Sequence, residues 1–204
     1  MIVTDITEYN KKKVLIRLDE HLIFPLYIGE VHKYHIVSGE ELSEEICREL
    51  LKNVLPKRVK LRAMNLLQKR SYTRMGLRHK LLESRYPDNM VDEALDYVMD
   101  YGYLDDSRYA EEYIRCFITS RSKRRILQEL YNKGIDKETL DRVWTEFEAA
   151  NEPVDEEAQI KSLLFKKHFN YEDADRKEIM KMMNYLYRKG YSADAIKRCI
   201  SVDE

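Results

Sequence analysis

From Leu77 onward, hydrophobic residues recur at matching positions in three successive segments of the chain. The first set is Leu77, Leu81, Tyr86, Val91 and Leu95. The second set, 49 residues later, is Ile126, Leu130, Ile135, Leu140 and Trp144, and the third, a further 56 residues on, is Met182, Leu186, Tyr191, Ile196 and Ile200. Spacings of four and five residues are typical of two amphipathic helices joined by a tight turn. The sequence therefore predicts tandem helical repeats.

A glycine marks the turn between the paired helices in the second and third copies. Gly134 precedes Ile135 and Gly190 precedes Tyr191, and glycine readily adopts the left-handed conformation that ends helices. The first copy has Arg85 at this place, so we expect a weaker or differently built helix end there. A further helix is predicted before each pair, at 57–70, 106–119 and 156–169.

The first forty residues follow a different pattern. Val14, Ile16 and Leu18 alternate with their neighbours, and a short run rich in strand-forming residues covers 22–28. Residues 2–7 could supply a third strand. Pro25 favours an edge position because it has no backbone N–H to donate. We expect a small antiparallel β-unit here.

A helix is predicted to connect this β-unit to the repeats. Ser38-Gly39-Glu40-Glu41 fits the capping-box pattern, in which Ser accepts from a backbone amide and Glu reaches back to the Ser amide. The residues Leu42, Ile46, Leu50 and Val54 follow at helical spacing. Pro56 is expected to interrupt this helix.

The predicted fold is mainly α, with three tandem three-helix modules in an elongated array and a small N-terminal β-unit. The expected segments are the β-unit at 1–37, the connecting helix at 38–56, and modules at 57–104, 105–152 and 153–204. Gly102-Tyr103-Leu104-Asp105-Asp106 and Asn151-Glu152-Pro153 are the predicted junctions.

Composition narrows the class of protein. The 204 residues are 44% hydrophobic and 36% charged, with six Gly and four Pro, which suits amphipathic helices rather than disorder. The three cysteines are far apart and form no CxxC spacing, which argues against a disulfide framework or a zinc site. No stretch approaches the roughly 20 apolar residues of a membrane span. We expect a cytoplasmic protein with no membrane partner.

The net charge of −1 conceals an alternation of sign along the chain. Residues 57–85 are strongly basic, with Glu83 the one acid, and residues 87–114 are acidic apart from Arg108. The chain is basic again over 115–133 and acidic over 134–157. This alternation predicts repeated faces of opposite charge.

The basic residues are the candidate binding site for a partner protein or DNA. They are Lys57, Arg58, Lys60, Arg62, Lys69, Arg70, Arg74, Arg78, Lys80, Arg121, Lys123, Arg124, Arg125, Lys161, Lys166 and Lys167. They could be solvated faces balanced by the acidic third helices, or they could contact phosphates or an acidic protein surface. Arg74 and Arg78 share a helix face, where like charges repel, and a purely structural reason for them is hard to find.

Two other features leave alternatives open. Three-helix units with basic second helices resemble helix-turn-helix DNA readers, but scattered cations and acidic neighbours favour non-specific contact with the DNA backbone over sequence readout.

Five tyrosines cluster around the first module junction, namely Tyr97, Tyr101, Tyr103, Tyr109 and Tyr113. They could pack between modules, or form a binding hot spot, or stack on bases.

Signals for catalysis or metal binding are weak. His32 and His35 could ligate together, but no Cys or carboxylate at metal-ligand spacing completes a set. The sequence has no Gly-rich phosphate loop, GxSxG or HExxH motif. We therefore expect neither an enzyme nor a bound metal or cofactor.

Three motifs together resemble the RecX family, the regulators of the bacterial RecA recombinase. The first is Arg70 with Thr73, Leu77, Lys80 and Leu81, and the second is the 102–106 junction followed by Arg108-Tyr109-Ala110. The third is Ile126-x-x-Glu129-Leu130-x-x-Lys133-Gly134-Ile135. The resemblance covers residues 57–200. Two residues depart from the family pattern. Gly76 stands where the family commonly has Glu, and Ser122 stands where it often has Gly.

The resemblance implies a function. RecX proteins lie along the groove of the RecA–DNA filament and inhibit ATP hydrolysis, strand exchange and the RecA-stimulated cleavage of the SOS repressor. The implied partners are the RecA filament and, in addition, single- or double-stranded DNA, with the protein acting as a monomer. The alternative is a stand-alone helical protein that binds nucleic acid non-specifically.

Overall fold

Alternating apolar residues build a three-stranded antiparallel sheet at the N-terminus of the computed structural model, which describes residues 1–19, 21–151, 154–171 and 173–200. Its strands are β1 (Val3–Asn10), β2 (Lys13–Leu18) and β3 (Leu22–Tyr27), in the order β1-β2-β3. The third strand, predicted over 2–7, is confirmed as β1. Pro25 lies on β3, an edge strand of the sheet, as its missing N–H predicts.

The connection to the repeats differs from the prediction in two ways. The helix α1 (Ile28–Lys33) follows β3, and the next helix, α2 (Glu44–Glu49), is capped by Ser43, whose hydroxyl accepts from the Ile46 amide. The predicted start at Ser38 is wrong, because Gly39 takes a φ of 86° and the chain turns there.

Pro56 does not interrupt the connecting helix, contrary to the prediction. A π-helical turn (Leu50–Val54) leads directly into α3 (Leu55–Leu67), and Pro56 occupies the first turn of α3. Proline is tolerated there because its missing N–H and fixed φ suit the start of a helix.

The sheet and the first helices share one hydrophobic core. The helices α4 (Arg74–Leu82) and α5 (Asp88–Asp100) complete this part of the chain. Phe24 and Leu26 of the sheet belong to the same buried cluster as Leu55 of α3 and Leu77 of α4. Residues Met1–Asp105 accordingly form one compact unit.

A second compact unit covers Asp106–Glu204. Its helices are α6 (Asp106–Phe117), α7 (Lys123–Asn132), α8 (Lys137–Ala150), α9 (Glu156–Lys166), α10 (Arg176–Arg188) and α11 (Ala193–Ile200). They enclose two buried clusters, one around Trp144 and one around Leu186. The division of the chain at residues 37, 56, 104 and 152 stays a prediction. Glu152, Pro153 and 201–204 lie outside the described residues.

The predicted repeat is confirmed by burial. All of its hydrophobic positions are buried except Met182, which is half-buried, and Leu81, Leu130 and Leu186 are fully enclosed. The turns are also equivalent in conformation. Gly134 and Gly190 have φ values of 89° and 90°, and Arg85 takes a φ of 62° at the same place without being glycine.

Candidate partner-binding surface

The helix α3 concentrates positive charge on the face that its buried residues leave exposed. Leu55, Val59, Ala63 and Leu66 recur at intervals of three and four residues and are buried in the core. The predicted site residues Lys57, Arg58, Lys60 and Arg62 lie between them, and α3 contains no Asp or Glu. Lys69 and Arg70 follow the end of α3, and Arg74, Arg78 and Lys80 lie on α4.

Several of these cations bind acids of the same unit. Arg78 donates to Asp92 at 2.8 Å and to Asp88 at 2.9 Å, and Arg74 donates to Asp96 at 3.0 Å. All three acids lie on α5, the acidic third helix. The hydrogen bond from Arg78 lowers the pKa of Asp92 from its ordinary value. The expectation that Arg74 and Arg78 lack a structural reason is therefore wrong.

Two further cations of the first unit also have acidic partners. Lys80 binds Glu83, the residue that follows the end of α4, at 2.7 Å. Arg58 pairs with Glu30 of α1, and its side chain is only 15% exposed. It also donates to the carbonyl oxygen of Pro25, which ties α3 to the sheet.

In the second unit, the carboxylate of Glu129 binds two of the predicted arginines. Glu129 accepts from Arg121, from Arg125 at 2.9 Å and from the Tyr113 hydroxyl at 2.8 Å. Burial alone would raise the pKa of Glu129, but hydrogen bonds from Arg125, Tyr113 and Arg121 outweigh it, so the pKa lies below its ordinary value. Lys123 binds Glu148 of α8 at 3.1 Å. Lys123 therefore joins α7 to α8, and Glu129 joins α7 to Tyr113 of α6.

The remaining predicted residues form no ion pair with an acid in the described part of the chain. Among the residues that the structure describes, no acid pairs with the exposed Lys57, Arg62, Lys69, Arg124, Lys161 or Lys166. Lys60, Arg70 and Lys167 lie instead over the rings of Tyr97, Tyr72 and Tyr185, at 4.8, 4.5 and 5.1 Å from the ring centres. A ring holds a cation without neutralising it. We call these nine residues the unpaired cations.

The structure also places residues beside α3 that sequence reasoning missed. A groove of about 790 Å³ runs between α3 and the sheet, and it brings Lys13 and Tyr27 next to Lys57 and Arg62. The run Lys11-Lys12-Lys13 in the β1–β2 turn was the available signal. It could not be used because the pairing of the sheet with α3 is a long-range contact.

The predicted tyrosine cluster forms ring contacts within each unit. In the first unit the Tyr101 ring stacks on that of Tyr103 with ring centres 6.3 Å apart, and it meets the Tyr97 ring at an angle of 45° with centres 4.7 Å apart. Tyr109 and Tyr113 stack at 6.3 Å in the second unit. Within each unit the rings contact one another, so packing accounts for part of this tyrosine content.

Neither a metal centre nor a membrane span is present in the described part of the chain. No group of three or more His, Cys, Asp or Glu residues there could hold a metal ion. None of the described helices is long and apolar enough to cross a bilayer.

Two family models match the second half of the chain. Residues 105–143 match the model of the second three-helix domain of RecX, and residues 155–200 match the model of the third. The first range covers α6, α7 and the first half of α8, and the second covers α9–α11.

Whole-chain comparisons give the same family. The regulatory protein RecX of Vibrio vulnificus is 31% identical over 140 residues, which cover 68% of this chain and 88% of that protein. The regulatory protein RecX of Clostridioides difficile is 26% identical over 208 residues, covering 98% of this chain and 94% of the relative.

Two crystal structures share the fold. One, of a regulatory protein RecX, superimposes with a TM-score of 0.60 at 22% identity and covers 98% of both chains. The other, of RecX from Lactobacillus salivarius, has a TM-score of 0.55 at 22% identity and covers 71% of this chain and 94% of its own. With the 31% identical relative and the two matched domains, the chain belongs to the RecX family of regulatory proteins.

Proposed function

We propose that this protein binds the RecA–DNA filament and inhibits the ATP hydrolysis, strand exchange and co-protease activities of the recombinase. It acts in recombination, DNA repair and the SOS response, as a monomer in the cytoplasm and without turnover of its own. The observation that carries the proposal is the concentration of unpaired cations on α3 in a member of a regulatory family.

The chemistry of the unpaired cations suits a polyanionic assembly. A RecA–DNA filament repeats phosphates and carboxylates at regular intervals along its length. Exposed Lys57 and Arg62 of the first unit, and Arg124 and Lys161 of the second, offer separate contact points. Individually weak contacts combine when one chain carries several, because each contact raises the effective concentration of the next.

The paired and unpaired cations have different roles in this proposal. Arg78 joins α4 to α5 through Asp92, and Arg121 and Arg125 both bind Glu129 of α7. The unpaired cations meet the partner. Substitution of an exposed residue that makes no ion pair usually changes stability little, so removal of an unpaired cation should leave the fold intact.

The proposal is tested by co-sedimentation of the purified protein with RecA filaments on single-stranded DNA, in parallel with bare DNA and RecA alone. We expect retention on filaments, weaker retention on bare DNA, and a loss of filament binding as salt rises. Equal retention on bare DNA and filaments would contradict a filament-specific role.

Binding of nucleic acid without recombinase is the second candidate function. The groove between α3 and the sheet favours it, because cations and aromatic rings line that groove together.

A further inference from the structure

We propose that the groove between the N-terminal sheet and α3 is a binding site for single-stranded nucleic acid. The site lies wholly within the first compact unit and needs no recombinase. It gives the N-terminal sheet a role, since the sheet supplies one of its two walls.

The two walls bring together cations, rings and amides. The α3 wall follows one helix face, because positions 57, 58, 61, 62 and 65 recur at helical spacing. The lining residues are Tyr9, Asn10, Lys13, Tyr27, Val54, Lys57, Arg58, Leu61, Arg62, Asn65, Ser84 and Tyr86. None of these described lining residues is acidic.

Aromatic rings and main-chain groups hold the lining side chains in place. The Lys13 amine lies 4.8 Å from the centre of the Tyr27 ring and 5.9 Å from that of Tyr86. The Arg58 guanidinium lies 4.9 Å from the Tyr27 ring, and its ion pair with Glu30 fixes it there. The Tyr9 hydroxyl donates to the Glu83 carbonyl oxygen at 2.9 Å. The groove is therefore ordered before a ligand arrives, which reduces the entropy cost of binding.

Three cations in this groove remain available to an anion. Lys13, Lys57 and Arg62 have no acidic partner among the described residues. Lys57 and Arg62 are separated by about 7.5 Å along the helix axis, at about 1.5 Å per residue. Cations spaced along a groove can follow successive phosphates of one strand.

The uncharged lining distinguishes nucleic acid from an acidic peptide. Leu61 is 61% exposed and Tyr27 is 42% exposed, so both present apolar surface to the groove beside the cations. Bases bury such surface by stacking, and Asn10 and Asn65 can hydrogen-bond to base edges. A peptide rich in Asp and Glu would use the cations alone. A concave groove also suits a single strand better than a wide, rigid duplex.

The test is the fluorescence anisotropy of a labelled oligothymidine of about 20 nucleotides, measured with the full-length protein and no recombinase. The groove variant is Lys57→Glu/Arg62→Glu. The matched control is Lys52→Glu/Lys137→Glu, which changes the net charge equally at exposed cations outside the groove. We expect the groove variant to bind at least about tenfold more weakly, the control to bind within about threefold of wild type, and the salt dependence to be shallower in the groove variant.

Circular dichroism checks that both variants are folded. Competition with unlabelled ligands shows which class of molecule the groove binds. Unlabelled oligothymidine should displace the probe, whereas a duplex or a poly-glutamate peptide at the same charge concentration should displace it poorly. Unchanged binding by a folded groove variant, or equal displacement by the duplex or the peptide, would overturn the proposal. Because the assay contains no RecA, failure of filament regulation leaves its result unaffected.

Discussion

The side-chain hydroxyl of Ser122 donates a hydrogen bond of 2.7 Å to the carbonyl oxygen of Lys189, 67 residues further along the chain. The same oxygen accepts from the backbone amide of Arg125 and so caps the start of α7. Ser122 is 1% exposed. One buried hydroxyl therefore joins the start of α7 to the end of α10.

Ser122→Ala should destabilise the second unit. It removes the cap of α7 and leaves the Lys189 carbonyl oxygen without this donor, a loss of about 1–2 kcal/mol in the free energy of unfolding. Urea unfolding followed by circular dichroism measures it. Ser162→Ala, an exposed serine of α9, is the matched control and should unfold like wild type. Equal unfolding of the two variants would show that the Ser122 contact is not stabilising.

Gly190→Ala should also destabilise this unit, for two separate reasons. The φ of 90° costs an L-residue about 1–2 kcal/mol, and the new Cβ would lie 2.7 Å from the Ser122 hydroxyl oxygen. The double variant Ser122→Ala/Gly190→Ala separates the two effects, since it removes the steric conflict and keeps the backbone strain. We expect a less than additive loss in the double variant. Strict additivity would mean that the close approach has no energetic effect.

The sequence predicts local features of this fold more accurately than long-range ones. The burial of Leu81, Leu130 and Leu186 and the turns at Gly134 and Gly190 follow from helical periodicity and from glycine's backbone freedom. The predicted helix start at Ser38 is wrong because Ser38 and Ser43 both resemble a helix cap. The chain turns at Gly39, and the helix begins only after Ser43.

The Glu129 network should make stability depend on pH. Because the pKa of Glu129 is lower in the folded protein, its stabilising effect is present above the ordinary value of 4.5 and is lost as the pH falls through the folded value. Glu129→Gln should therefore be less stable than wild type at neutral pH, and the difference should shrink below about pH 4.5. Urea titrations across this range measure the difference. Glu112→Gln, at an exposed position of α6, is the control, and an identical pH dependence of the two variants would contradict the assignment.

Charge reversals should separate the structural cations from the binding ones. Arg74→Glu/Arg78→Glu places new acids beside Asp96, Asp88 and Asp92 and should lower the melting temperature. Lys57→Glu/Arg62→Glu should leave the melting temperature near that of wild type and weaken filament binding. Thermal unfolding and filament co-sedimentation of both double variants test this. The opposite pattern would assign partner binding to the paired cations.

The candidate site was only partly predictable. Helical spacing and the charge alternation predicted that the cations lie on helices, and most of them do, whereas Lys69, Arg70 and Arg121 lie just outside the ends of α3 and α7. Sequence spacing could not show that Arg78 meets Asp92 or that Lys13 lies beside Tyr27, because both contacts depend on how separate elements pack. The same limit explains why the groove beside α3 was missed.

The most direct test of regulation is the rate of ATP hydrolysis by RecA on single-stranded DNA as the purified protein is added. We expect the rate to fall at substoichiometric or near-stoichiometric ratios, with wild-type protein inhibiting more strongly than folded Lys57→Glu/Arg62→Glu, because several contacts along the filament combine. A rate that stays unchanged at saturating protein would contradict the account.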